Sequence, residues 1–259
     1  MENNYFVTVY DLGLYGCHLK SSPNLKIING DIRDIKKLEN IVKNQDIIIH
    51  LACISNDPSF ELNPRLGKSI NFDCFEPLVL FAKKNGVKKF IFASSSSVYG
   101  VKDIKNVTEE ASLEPLTDYS KFKMRCEEIL MSNTDNNFIG CAVRPATVCG
   151  YSPRQRLDLV VNILTNFAFH KKKIKVFGGK QLRPNIHIND MVESYLLIIR
   201  SNEKKIQTQI FNVGFENYSV EKLATMVKEN IDGEVVLDIE ESNDNLSLIH
   251  ISEPTRPSV

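Results

Sequence analysis

Long apolar runs are missing from this chain. None approaches the roughly 20 residues that a membrane-spanning helix needs, so no membrane partner is expected. Charge of one sign is missing too. Lys+Arg and Asp+Glu are both 32, so the formal charge is zero and no nucleic-acid or polyanion surface is expected. The start, Met1-Glu2-Asn3-Asn4, is polar and no small-residue cleavage site follows, so no secretory signal is expected there. The cysteines Cys17, Cys53, Cys74, Cys126, Cys141 and Cys149 lack paired metal-ligand spacing. They read as free thiols of a reducing cytoplasm, mostly small core residues, and no metal is expected. Internal repeats and low-complexity segments are absent. What remains is an ordinary globular composition, 42% hydrophobic and 25% charged. The 259 residues suffice for one large domain, or one domain with an appended lobe.

The chain is organised around Phe90 to Lys123. An apolar strand, Phe90-Ile91-Phe92-Ala93, breaks into Ser94-Ser95-Ser96-Ser97 and then Val98-Tyr99-Gly100. Some twenty residues on, Tyr119-Ser120-Lys121-Phe122-Lys123 opens a helix, with Thr117 or Asp118 as its cap. Tyr119 and Lys123 are four apart, so a helix sets them on one face, one turn apart. A serine at the strand end can meet them. An ammonium beside a phenol favours the phenolate and lowers the phenol's pKa. Such a tyrosine can take and return a proton near neutrality, while the serine holds the oxygen concerned.

Ser…Tyr-x-x-x-Lys in this order resembles the short-chain dehydrogenase/reductase superfamily. The strings Ser95-Ser96-Ser97-Val98-Tyr99-Gly100 and Arg183-Pro184-Asn185-Ile186-His187-Ile188-Asn189-Asp190 resemble its extended branch, the NAD-dependent epimerase/dehydratase family of nucleotide-sugar enzymes. The resemblance runs from about Phe6 to Asp238. It implies an α/β fold: a Rossmann-like, doubly wound parallel sheet with a smaller C-terminal substrate lobe. The implied divisions are 1–150 for the NAD-binding domain, 151–245 for the nucleotide-sugar lobe and 246–259 for a non-native or disordered tail. One family feature is lacking. No Gly-x-x-Gly-x-x-Gly precedes Asp11, and Gly13 and Gly16 follow the first strand instead. The first strand and glycine-rich loop are therefore expected to be missing. The sheet is expected to show a gap beside Phe6–Tyr10, and the chain as given to bind dinucleotide weakly.

The resemblance assigns catalysis to Ser95, Tyr119 and Lys123, and NAD as the cofactor. Asp11, ending the strand Phe6–Tyr10, would hold the adenosine ribose hydroxyls and repel a 2′-phosphate; an Asx turn is the other reading of it. Asp31 and Ile32 would flank the adenine, and Asp31 could equally cap the helix from Ile35 to Lys43. Leu51, Ala52 and Cys53 follow His50 in the string where backbone approaches the cofactor; His50 itself reads as packed structure. Asn71 matches an asparagine that steadies the lysine region. Ser94, Tyr119 and Lys123, with Pro145 and Ala146 by the nicotinamide, complete the cofactor set. Substrate would meet Ser95, Ser96, Thr147 (where epimerases often carry asparagine) and Arg183, whose guanidinium suits a diphosphate. Cys149 reads as packing.

The strands expected further on are Phe138–Pro145, Ile174–Phe177 and, from the resemblance, Ile210–Gly214. The helices expected are Ser69–Asn85, kinked or begun at Pro77, then Leu159–Phe169, Asp190–Arg200 and one from Ser219 to Asn230. The leading functional reading is cytoplasmic, NAD-dependent epimerisation of a nucleotide-activated sugar for surface polysaccharide precursors. A 4,6-dehydratase, a reductase or a non-catalytic binding protein are the alternatives. Ser96-Ser97 stands where related dehydratases place Asp-Glu, which argues against elimination. The partner expected is a nucleotide-sugar substrate, with a homodimer left open.

Overall fold

The computed structural model describes residues 5–55, 57–102 and 106–240, so the tail expected at 246–259 lies outside the described residues. In chain order the elements begin with β1 (Val7–Asp11), β2 (Leu25–Asn29), α1 (Ile35–Val42), β3 (Ile47–His50), α2 (Asp57–Glu61) and α3 (Pro64–Lys68). A π turn (Ser69–Asp73) leads into α4 (Phe75–Lys84), β4 (Lys89–Ala93), a 3-10 turn (Ser96–Tyr99), α5 (Asp118–Asn133), β5 (Ile139–Pro145) and β6 (Thr147–Cys149). Then come α6 (Val160–Lys171), β7 (Lys173–Phe177), β8 (Leu182–His187), α7 (Ile188–Arg200) and α8 (Glu203–Ile206). The last are β9 (Ile210–Val213), β10 (Glu216–Ser219), α9 (Val220–Glu229) and β11 (Val236–Glu240).

The chain divides into two compact units, residues 1–144 with 195–212, and 145–194 with 213–259. In the first, the strands run β3-β4-β5-β9 in one sheet, with β3 parallel to β4 and β4 to β5. Phe90, Ile91 and Phe92 of β4 are fully buried, which an inner parallel strand covered on both faces requires. Leu38, Val42, Phe75, Leu78, Val79, Leu130 and Phe138 pack with them into one core. β1 and β2 pair in parallel as a separate two-stranded sheet. Among the described residues no ladder joins β1 to β3, the interruption that the sequence leads one to expect. In the second unit α6 and α9 cover the parallel pair β7·β11 through Ile163, Leu164, Ile174, Val176, Leu223 and Ala224. Its other sheet is β10-β8-β6, where β10 is antiparallel. The whole is the α/β, mainly parallel architecture expected.

Local details differ from expectation. The helix expected over Ser69–Asn85 is split by the π turn, and Pro77 lies in the first turn of α4, where a missing N–H breaks no helical hydrogen bond. The segment from Asp57 to Lys68 holds two short helices. Asn63 caps the second by accepting from Leu66 N at 3.1 Å. Asp34, not Asp31, caps α1, accepting from Lys37 N at 3.1 Å.

Arg144 and Glu127 form a fully buried ion pair, 2.6 Å at its shortest and 2% and 3% exposed. Arg144 Nη1 also donates to the Tyr99 hydroxyl at 2.8 Å, and that hydroxyl donates to Asn212 Oδ1 at 2.7 Å. The pair ties α5 to β5 and to the turn after the serine run. Removing one partner strands the other's charge in the core. Glu127→Gln is expected to lower unfolding free energy by about 3 kcal/mol in urea titrations. A loss smaller than about 1 kcal/mol would show that water reaches Arg144.

Candidate active site

Tyr119 and Lys123 owe their placement to the start of α5. Thr117 caps it, accepting from Ser120 N at 3.3 Å, while Thr117 N donates to Ser120 Oγ at 3.1 Å. This reciprocal pair satisfies two amides that a helix start leaves without partners. Tyr119 lies in the first turn and Lys123 one turn on, both buried. The Lys123 ammonium donates to the Ala93 carbonyl at 2.6 Å, where β4 ends. It lies 4.8 Å from the Phe92 ring centre and 5.8 Å from that of Tyr119. Burial alone would push Lys123 down. The charges of Cys53 and Tyr119 outweigh it, and the ammonium is held above its ordinary value.

Ser95 caps the turn Ser96–Tyr99. Its Oγ accepts from Ser97 N at 3.1 Å and from Ser97 Oγ at 2.9 Å. It also acts on the Tyr119 phenol, favouring its ionised form. The turn closes at Gly100, whose φ is +69° and where a Cβ would meet the Glu114 carbonyl oxygen at 2.2 Å, so glycine is required. Ser95, Tyr119 and Lys123 therefore converge. The electrostatics differ from the expected picture. Burial pushes the Tyr119 phenol above its ordinary value. Lys123, and to a lesser degree Ser95, pull it down without overcoming burial, and Cys53 and Asp57 add to the rise.

The other expected site residues of the first unit lie on several further elements. Leu51 and Ala52 are exposed just past β3, and Cys53 is half-buried beside Lys123. Asn71 supports that loop from behind: its Oδ1 accepts from Ile54 N at 2.8 Å and its Nδ2 donates to Ile54 O at 2.9 Å. Ser94 is buried, with a hydroxyl that meets no hydrogen-bond partner among the described residues. Ser96 is half-buried in the turn. Asp11 Oδ1 accepts from Gly13 N at 2.6 Å, the Asx-turn geometry. Asp31 is held by Arg33 through several hydrogen bonds, which keep its carboxyl below the usual range. Ile32 packs against the core. Pro145, Ala146, Thr147 and Arg183 fall in the second unit. There Ala146 N donates to Val213 O at 2.8 Å, and burial draws the Arg183 guanidinium below its ordinary value.

A dinucleotide suits the first unit's residues. An ammonium carries three donors, and Lys123 gives one of them to the Ala93 carbonyl. The buried Ser94 hydroxyl is spare, and exposed backbone at 51–52 stands at a parallel strand's C-terminal end, where such folds take ligands.

The model of the NAD dependent epimerase/dehydratase family matches residues 1–214, and the chain belongs to that family. A UDP-glucose 4-epimerase of Lactobacillus helveticus is 25% identical over 78% of this chain and 67% of its own. A dTDP-D-glucose 4,6-dehydratase of Dictyostelium discoideum is 28% identical over 77% of this chain and 48% of its own. Among solved structures, a UDP-glucuronic acid 4-epimerase of Bacillus cereus, in complex with UDP-glucuronic acid and NAD, superposes with a TM-score of 0.74 at 25% identity, covering 85% of this chain and 70% of its own. The chain thus spans about half to two thirds of the length of such curated relatives.

His50 is buried between Phe75, Phe90 and Phe92, with ring centres 5.4, 6.3 and 5.9 Å away. Burial, then the Lys123 charge, brings its pKa down from 6.5 to about 3, so it is neutral packing at pH 7. Between those values the unfolded chain binds a proton that the folded one refuses. Stability therefore falls as pH drops below about 6.5, by about 1.4 kcal/mol per unit from this group. His50→Phe is expected to remove that slope. Urea unfolding between about pH 6.5 and 4.5 measures it, and parallel slopes for parent and variant would mean that His50 is protonated in the fold.

Proposed function

We propose that this chain carries the catalytic centre of an NAD-dependent nucleotide-sugar 4-epimerase, with Tyr119 as the proton-transfer group. The observation that carries this reading is the convergence of Ser95, Tyr119 and Lys123 at the end of β4. Tyr119 takes the proton of a sugar hydroxyl and later returns it. Ser95, fed by the Ser97 hydroxyl, steers the sugar oxygen toward the phenol. Lys123 favours the phenolate and turns a remaining donor to a ribose hydroxyl. NAD, when bound, supplies the hydride acceptor and donor. Asp11 would hold the adenosine ribose, and Ser94, Leu51, Ala52 and Cys53 would border the dinucleotide. The second unit is read as the substrate lobe, with Thr147 toward the sugar and Arg183 toward the diphosphate. Ser96 and Ser97 supply hydroxyls and no carboxylate, which favours epimerisation over elimination.

Proton transfer by a positioned side chain contributes about 10²–10⁴-fold. Tyr119→Phe is expected to lose activity within that range on UDP-glucose with NAD, followed by NMR of the sugar. Asp11→Asn should narrow the preference for NAD over NADP, because it removes a like charge from the 2′-phosphate. Undiminished conversion by Tyr119→Phe would sink the assignment.

A further inference from the structure

Asp57 is 60 residues from Thr117 in sequence, yet Thr117 Oγ1 donates to its Oδ1 at 2.5 Å. α2 is seated on α5 by Phe60, which is buried and packs on Phe122 with ring centres 5.8 Å apart. Gly67 of α3 makes room, since a Cβ there would lie 2.5 Å from the Phe60 ring. A threonine hydroxyl has one proton and two lone pairs. With the proton committed to Asp57, the lone pairs are turned toward Ser120 N, the bond that caps the helix. The carboxylate also stands at the N-terminal end of α5, where negative charge is favourable.

We infer that Asp57 is a positioning residue for Tyr119, fixing the Thr117 cap that sets the first turn of α5 and presenting its charge to the phenol. This deepens the proposed function and rests on Tyr119 as the proton-transfer group. The charged and titratable groups facing the phenol are Lys123 from α5, Cys53 from the loop after β3 and Asp57 from α2. Among them Lys123 opposes the rise in the phenol's pKa, and Cys53 and Asp57 contribute to it.

Asp57→Asn keeps an acceptor for Thr117 and removes the charge; Asp57→Ala removes both. The full chain carrying [13Cζ]-tyrosine reports the Tyr119 titration, its signal identified by its loss in Tyr119→Phe. Asp57→Asn is expected to lower that midpoint by roughly half a pH unit, since an anion opposing the phenolate is gone. Amide exchange at Ser120 should rise roughly fivefold in Asp57→Ala, as when a helix cap is lost, and return to the parent rate in Asp57→Asn. A purely structural cap would move exchange and leave the Asp57→Asn midpoint in place, which overturns the inference. Unchanged Ser120 exchange in Asp57→Ala overturns it as well. Neither readout needs cofactor or turnover, so a failure of the epimerase reading is seen separately, in the conversion assay.

Discussion

The Lys123 ammonium is the constraint on which the first unit depends. Taking an ammonium out of water costs several kcal/mol unless close partners replace its hydration. Here the partners are the Ala93 carbonyl, the Phe92 ring face, the Cys53 sulfur and the Tyr119 phenol. They come from three pieces of chain: Phe92 and Ala93 at the end of β4, the loop after β3 and the start of α5. Holding one charge therefore fixes where three segments meet. That meeting point is also where a proton can be moved.

Two further devices keep α5 in register with β4. At its start, Thr117 and Ser120 satisfy each other's backbone amides, with Asp57 behind them. Further along, Glu127 receives the Arg144 guanidinium, and Arg144 reaches Tyr99 at the close of the serine turn. Tyr119 and Lys123 lie between these anchors. Side chains placed this way lose little entropy on meeting a ligand, which is what positioned acid–base groups require.

The tension at the site lies in the Tyr119 phenol. Burial that excludes water also disfavours the phenolate, and Lys123 and Ser95 work against that burial. Lys123 draws the phenol's pKa down, and the Tyr119 phenolate would draw the ammonium's up. The half-buried Cys53 and the nearby Asp57 bias the same balance.

Much of this was legible in the sequence, and for a local reason. Ser94 to Gly100, Tyr119 to Lys123 and the uninterrupted apolar run of β4 are short patterns whose periodicity dictates strand, turn and helix face. The pairing of Tyr119 with Lys123 follows from 3.6 residues per turn, and the interruption beside β1 followed from the absence of a glycine-rich turn before Asp11. Tertiary structure alone decided the rest. Asp57 meets Thr117 across 60 residues, Arg144 meets Tyr99 across 45, and Lys123 meets Ala93 across 30. The direction of the Tyr119 shift was likewise beyond reach of the sequence, which shows the lysine that lowers it but not the burial that raises it. Spacing along the chain encodes which side chains share a helix face; desolvation and long-range hydrogen bonds exist only once separate segments are packed together.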